Sequence, residues 1–135
     1  MITAFDADVI IYAGAQEHPL GLQAARLIDH PADGDSAIGC VLLLTEVLTK
    51  PTRADAMSAE TQRLQQLLSR IDLRPLDAHT CVLALALAVK YGLKSADAAH
   101  LATAVIANAD RFLTNNRKDF RHSIEEIEIV YPDEL

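Results

Sequence analysis

Seven side chains carry the chemistry this chain could do, and nearly all of them are oxygen donors. Asp6 and Asp8 follow an opening apolar stretch, Ile2 to Phe5. Glu46 sits in Val41 to Lys50, and Asp97 and His100 in Ser95 to Asn108. Asn116 and Asp119 follow the apolar stretch Arg111 to Thr114. Each has an ordinary structural reading. Asp6 and Asp8 suit turns or helix caps, Glu46 suits an i,i+4 pair with Lys50, Asp97 suits a helix first turn, and Asn116 and Asp119 suit a loop. His100 lies one turn after Asp97, where it could order a water or an Asp97 oxygen, or serve as a structural imidazole.

The elements that would position these residues make a stronger case than any one of them. Strands are expected at Ile2–Phe5, Ser36–Cys40, Ile71–Leu76, Arg111–Thr114 and Ile127–Val130. Apolar residues at Leu20, Ala24, Leu27 and Ile28 have helical spacing, after a first helix from about Asp8 to Ala13. A helix over Val41–Lys50 should stop at Pro51, with Thr45, Glu46, Thr49, Lys50 and Arg53 on one side and Leu44 and Leu48 on the other. Leu64, Leu67 and Leu68 mark an amphipathic helix over Ala54–Arg70. Asp77 caps a helix that runs to Tyr91 and ends on Gly92. Ser95 is read as the cap of the next.

Strands alternating with helices predict an α/β fold, three layers deep, with a mainly parallel sheet covered on both faces. One domain over 1–135 is the expectation for this length. Sites in such folds lie beyond the carboxyl ends of the strands. Asp6, Asp97 and the Asn116–Asp119 loop would all face that edge. Clustered carboxylates repel, so they either take up protons or bind a cation. An all-oxygen set selects Mg²⁺ or Mn²⁺ rather than zinc, and an acidic metal pocket suits phosphoryl chemistry.

Composition narrows the partners. Half of the residues are hydrophobic, but there are only three Phe, three Tyr and no Trp, which argues against stacked aromatic RNA platforms. A net charge of −7 excludes tight non-specific nucleic-acid binding by charge alone. The exception is local: 111–121 carries Arg111, Arg117, Lys118 and Arg121 against Asp119, with Lys50, Arg53, Lys90 and Lys94 as extensions. That stretch is the candidate RNA contact, or else a solvated basic loop. Cys40 and Cys81 do not form a disulfide framework and read as small core residues. The longest apolar run, Val82 to Val89, is far short of the ~20 residues a membrane span needs. The N-terminus carries acids and no basic segment, unlike a secretory signal. A cytoplasmic protein away from membranes is the expectation.

Phe5-Asp-Ala-Asp-Val-Ile-Ile-Tyr12, Leu44-Thr-Glu-Val47, Ser95-Ala-Asp-Ala-Ala-His-Leu-Ala-Thr-Ala104 and Phe112-Leu-Thr-Asn-Asn-Arg-Lys-Asp-Phe120 stand in the order of a known family. Together they resemble a PIN domain of the VapC type, the toxin of a bacterial or archaeal toxin–antitoxin pair. The resemblance implies a Mg²⁺- or Mn²⁺-dependent ribonuclease with Asp6, Glu46 and Asp97 as its acidic triad. It also implies a homodimer and inhibition by a cognate antitoxin. Many relatives carry an acid where Asn116 stands. Asp119 is then the expected outer metal ligand beside Asp6 and Asp97, with Asn116 orienting water and Asp8 and His100 supporting.

Two other readings compete. Asp6-Ala-Asp8 also fits the opening motif of haloacid-dehalogenase-type phosphatases, although no acid pair follows Arg111–Thr114. A catalytically degenerate PIN-like module that only binds a partner is the other.

Overall fold

A computed structural model describes residues 1–15 and 18–135. Five parallel strands form one sheet: β1 Ile2–Phe5, β2 Ser36–Cys40, β3 Asp72–Arg74, β4 Arg111–Leu113 and β5 Glu128–Val130, in the order β3-β2-β1-β4-β5. Side chains alternate across each strand, so the register sorts them into two cores. Ile38, Ala4, Phe112 and Ile129 lie in line across four strands and face one side. Phe5, Leu113 and Val130 face the other.

The first face is covered by α5 (Ala78–Tyr91) and α6 (Ser95–Ile106), through Leu87, Leu101 and Ala102. The second is covered by α1 (Ala7–Gly14), α2 (Pro19–Asp29), α3 (Leu43–Asp55) and α4 (Ala59–Ser69), through Val9, Ile10, Leu43, Leu64 and Leu67. The fold is therefore a three-layer α/β/α sandwich on a parallel sheet, as the alternating elements imply. Helix α2 packs so closely on α1 that a Cβ at Gly21 would lie 2.0 Å from the Tyr12 carbonyl oxygen. Glycine is required there.

Several local expectations need correction. Helix α3 runs through Pro51 to Asp55. Proline's φ suits a helix, and the missing N–H deprives only the Val47 carbonyl of a partner. The next helix starts at Ala59, not Ala54, because Ser58 caps it by accepting from the Thr61 N–H. The buried face of α3 is Leu43 and Val47, while Leu44 is exposed. Ser95 is the first helical residue of α6, behind Lys94, so its side chain does not cap. Asp77 and Gly92 do cap α5: Asp77 accepts from the Thr80 N–H, and Gly92 takes a left-handed φ of 66°. Cys40 is buried and Cys81 exposed, so only the first is a core residue.

Chain order builds the site. The chain leaves β1, crosses outward to β2 and β3, and returns to β4 on the other side of β1. The crevice at such a switch point lies at the carboxyl ends of β1 and β4.

Candidate active site

Asp6 is the first residue after β1 and the N-cap of α1. Its Oδ1 accepts from the Ala7 N–H at 2.8 Å, and its Oδ2 accepts from the Thr114 hydroxyl at 2.7 Å. The same Thr114 oxygen accepts the Asn116 N–H at 3.1 Å. A short relay thus ties the loop after β4 to the acid after β1. The parallel register explains it: Phe5 faces Leu113, so the next residues, Asp6 and Thr114, are brought opposite. Thr114 carries no local signal in the sequence, because its role depends on the pairing of β1 with β4. Asp6 is only 5% exposed. Burial pushes its pKa up, against the opposing pull of Thr114, His100 and the Ala7 N–H.

Asp8, in the first turn of α1, accepts the Asn115 N–H on Oδ2 at 3.1 Å, while its Oδ1 is buried with no hydrogen-bond partner. Burial, and then the charge of Asp6, push its pKa up to about 7. Asp97, in the first turn of α6, is half-buried, and its pKa is raised by burial and by the charges of Asp6 and Asp119. Glu46 pairs with His100 across 3.1 Å, Nε2 to Oε2, and not with Lys50. That hydrogen bond holds the Glu46 pKa below its usual value, against burial. Of the alternatives open for His100, the hydrogen bond given to its ring is the one to Glu46, not one to Asp97. The His100 side chain leaves α6 toward α3, and its charged form is favoured by Glu46 and Asp6 against strong desolvation.

Asp6, Asp8, Glu46 and Asp97 line one cavity of about 390 Å³ together with Ala7, Ile11 and Asn116. Asp119 does not line it. Its Oδ2 accepts from the Asn116 side-chain amide at 3.0 Å, and it borders an adjoining polar cavity of about 290 Å³ with Lys90, Lys118 and Arg121. Of the basic residues, Arg117 is paired with Asp133 at 2.6 Å and stacked over Tyr131. Lys90 is paired with Glu126 at 3.0 Å. Arg111 starts β4, at the far edge of the sheet, where it donates to Thr3 Oγ1. Of the four predicted contacts, Lys118 and Arg121 line the cavity that Asp119 borders, and none lines the acid cavity itself.

These donors suit a hard divalent cation. All are oxygens, three of the acids carry raised pKa values, and one buried Asp8 oxygen lacks a partner. Among the described residues, no three His, Cys, Asp or Glu side chains close around a single point. A lined cavity of this size fits an ion that keeps several of its waters, as Mg²⁺ does.

The fold and this edge define a parallel α/β domain with an acid-lined cavity at its strand ends, and comparison with known proteins gives its family. The PIN domain family model matches residues 4–123, and the chain belongs to that family. A chain from a toxin–antitoxin complex of Klebsiella pneumoniae superposes with a TM-score of 0.74 at 22% identity, over 98% of this chain and 99% of that one. A chain of VapBC2 from Rickettsia felis, bound to a DNA fragment from its promoter, gives 0.76 at 18% identity, over 97% and 98%. Mycobacterium tuberculosis VapC20, a Sarcin–Ricin loop cleaving toxin, gives 0.65 at 14% identity, over 93% and 98%. No curated protein matches the chain by sequence.

Proposed function

We propose that this chain is a divalent-metal-dependent endoribonuclease that acts as the toxin of a toxin–antitoxin pair. One observation carries the reading: Asp6, Glu46 and Asp97, from β1, α3 and α6, line a single cavity at the carboxyl edge of the sheet. In a PIN-family chain, that set is the acidic triad the motifs suggest. Asp6 and Asp97 are the residues that would hold Mg²⁺ or Mn²⁺, with Glu46 facing them. When bound, such a cation supplies Lewis acidity toward a phosphodiester and makes a nearby water more acidic.

The chain's own groups do the rest. Thr114 and the Ala7 N–H fix Asp6 in one rotamer. Asn116 presents its amide to the cavity, held by Asp119. Lys118 and Arg121 offer charge to the RNA backbone beside it. With so few cations, affinity is modest and selection rests on the shape of a structured RNA.

An apolar cavity of about 490 Å³ between α5 and α6, lined by Leu42, Leu76, Ala84, Leu85 and Ala99, suits an apolar helix of an antitoxin. The toxin–antitoxin complexes among the structural neighbours support such a partner. The exposed Val82 and Val89 on α5 suit a second copy of the chain. Among the described residues, no helix is long and apolar enough to cross a membrane, and the cytoplasm is where RNA and antitoxin would be met.

Asp97→Asn keeps the side chain's shape and removes its charge. With purified protein, Mn²⁺ and a structured RNA, this variant should lose cleavage while keeping its circular dichroism spectrum. Undiminished cleavage by a folded variant refutes the reading. A partner-binding module without catalysis is the second reading, favoured by the uncharged Asn116 in the cavity wall. Wild-type protein inert on RNA with saturating Mn²⁺ would select it. The phosphatase reading has no support from the family, since the PIN domain model matches residues 4–123.

A further inference from the structure

His100 does work that neither the fold nor the acid cavity explains. It is 2% exposed, within the run Ala98 to Ala104 that is buried along its whole length. Its Nδ1 is buried with no hydrogen-bond partner. A core position that leaves a ring nitrogen unsatisfied is a poor one for stability, and an apolar side chain of similar size would leave nothing unpaired.

Its other nitrogen has a use. Glu46 Oε2 lies 3.1 Å from His100 Nε2, and among the described residues this is the only hydrogen bond or ion pair the Glu46 side chain makes. The Glu46 side chain is about a third exposed, at 34%. Its long side chain shares a cavity with Asp6, Asp8 and Asp97, whose charges repel it. Lys50, one turn along α3, offers it a cation on the solvent side. Without a tether, Glu46 would turn outward.

We propose that His100 is a positioning residue: it holds Glu46 in the cavity, facing Asp6 and Asp97, so that α6 sets the place of a carboxylate that α3 carries. The inference rests on the cation-binding reading given above. A carboxylate only accepts, so the Nε2–H donates and Nδ1 is the nitrogen left over. Helix α6 then supplies Asp97 directly and, three residues on, the anchor of Glu46. Placing that one helix fixes two of the three acids. A group that orients a ligand from behind is expected to change metal affinity more than fold.

The test compares His100→Leu with His100→Gln, whose amide nitrogen stands near the position of the histidine Nε2. Mn²⁺ binding to the purified protein is followed by titration calorimetry, and melting is followed without metal. His100→Leu should weaken Mn²⁺ binding about tenfold and raise the half-activating Mn²⁺ for RNA cleavage in proportion. Its metal-free melting temperature should be unchanged or higher. His100→Gln should restore affinity to within about twofold of wild type. Should His100→Leu fail to fold, His100→Asn gives the same contrast, since its amide is too short to reach Glu46. Unchanged Mn²⁺ affinity in His100→Leu or His100→Asn overturns the inference alone, as does a His100→Gln protein no better than His100→Leu. Wild-type protein that binds no Mn²⁺ overturns the cation reading, and the inference with it.

Discussion

Asn116 and Asp119 close a ring on each other: the Asn116 amide donates to Asp119 Oδ2 at 3.0 Å, and the Asp119 N–H donates to Asn116 Oδ1 at 3.3 Å. The ring orients the one uncharged polar side chain in the wall of the acid cavity. It also occupies the carboxylate that the sequence offers as an outer metal ligand.

The two residues should therefore behave as a unit. Asn116→Ala and Asp119→Ala are each expected to cost about 0.5–1.5 kcal/mol of stability, and the double variant little more than either alone. Denaturant melts of the three proteins measure this. If Asp119 is instead an outer ligand, Asp119→Asn will raise the half-activating Mn²⁺ while Asn116→Ala will not. Additive stability losses would break the unit.

Metal should stabilise the folded chain. Asp6, Asp8 and Asp97 are all held above their ordinary pKa values, largely by burial and by one another, and a cation relieves that cost. At 100 times its dissociation constant, Mn²⁺ should add about 2.7 kcal/mol, or roughly 8 °C in melting temperature for a chain of this size. Asp97→Asn should shrink the gain. A melting curve indifferent to millimolar Mn²⁺ at neutral pH counts against the metal pocket.

Much of this arrangement was legible in the sequence, and the exceptions share a cause. Asp6, Asp97 and the loop after β4 could be placed because a strand end and a helix start are local events, marked by Phe5-Asp6 and by the run after Lys94. Asp77 and Gly92 were legible for the same reason. The partner of His100 was not. Spacing on α6 offered Asp97, whereas the real contact is to Glu46, 54 residues away on another helix. Arg111 was grouped with Arg117 by proximity in the chain, yet a strand separates the start of β4 from its end. Pro51 read as a stop because proline usually ends helices, but the cost of one missing hydrogen bond did not end α3.

Asp8 should give the metal-free protein a pH dependence of definite sign. Its carboxyl ionises near 3.8 when unfolded and near 7 when folded. Below pH 3.8 both states hold the proton, and the contribution of Asp8 to stability is complete. As pH rises toward 7 the unfolded chain gives up its proton first, so that contribution is lost across this window. Asp8→Asn removes the Asp8 share of the slope, leaving that of Asp6 and Asp97, and should leave the protein more stable at pH 8 by about 1–3 kcal/mol. Melting in chelator between pH 4 and 8 checks it. Parallel curves for wild type and variant would mean that Asp8 carries no such burden.

Helix α5 has an exposed apolar outer face. Val82, Leu85 and Val89 are 69%, 67% and 77% exposed, and their spacing of three and four residues puts them on one side of the helix. Each would gain about 1–2 kcal/mol on full burial. A second α5 laid antiparallel against this face meets the same residues by two-fold symmetry, and it opposes the two helix dipoles favourably. The purified chain should therefore be a dimer at micromolar concentration. Val82→Glu with Val89→Glu should yield a monomer whose melting temperature, taken at low concentration, is close to that of wild type, since neither side chain reaches the core. Leu85 is left out because it also lines the cavity beside α6. Sedimentation equilibrium decides the matter. A wild-type chain that is monomeric at tens of micromolar would remove the second copy as the occupant of this face.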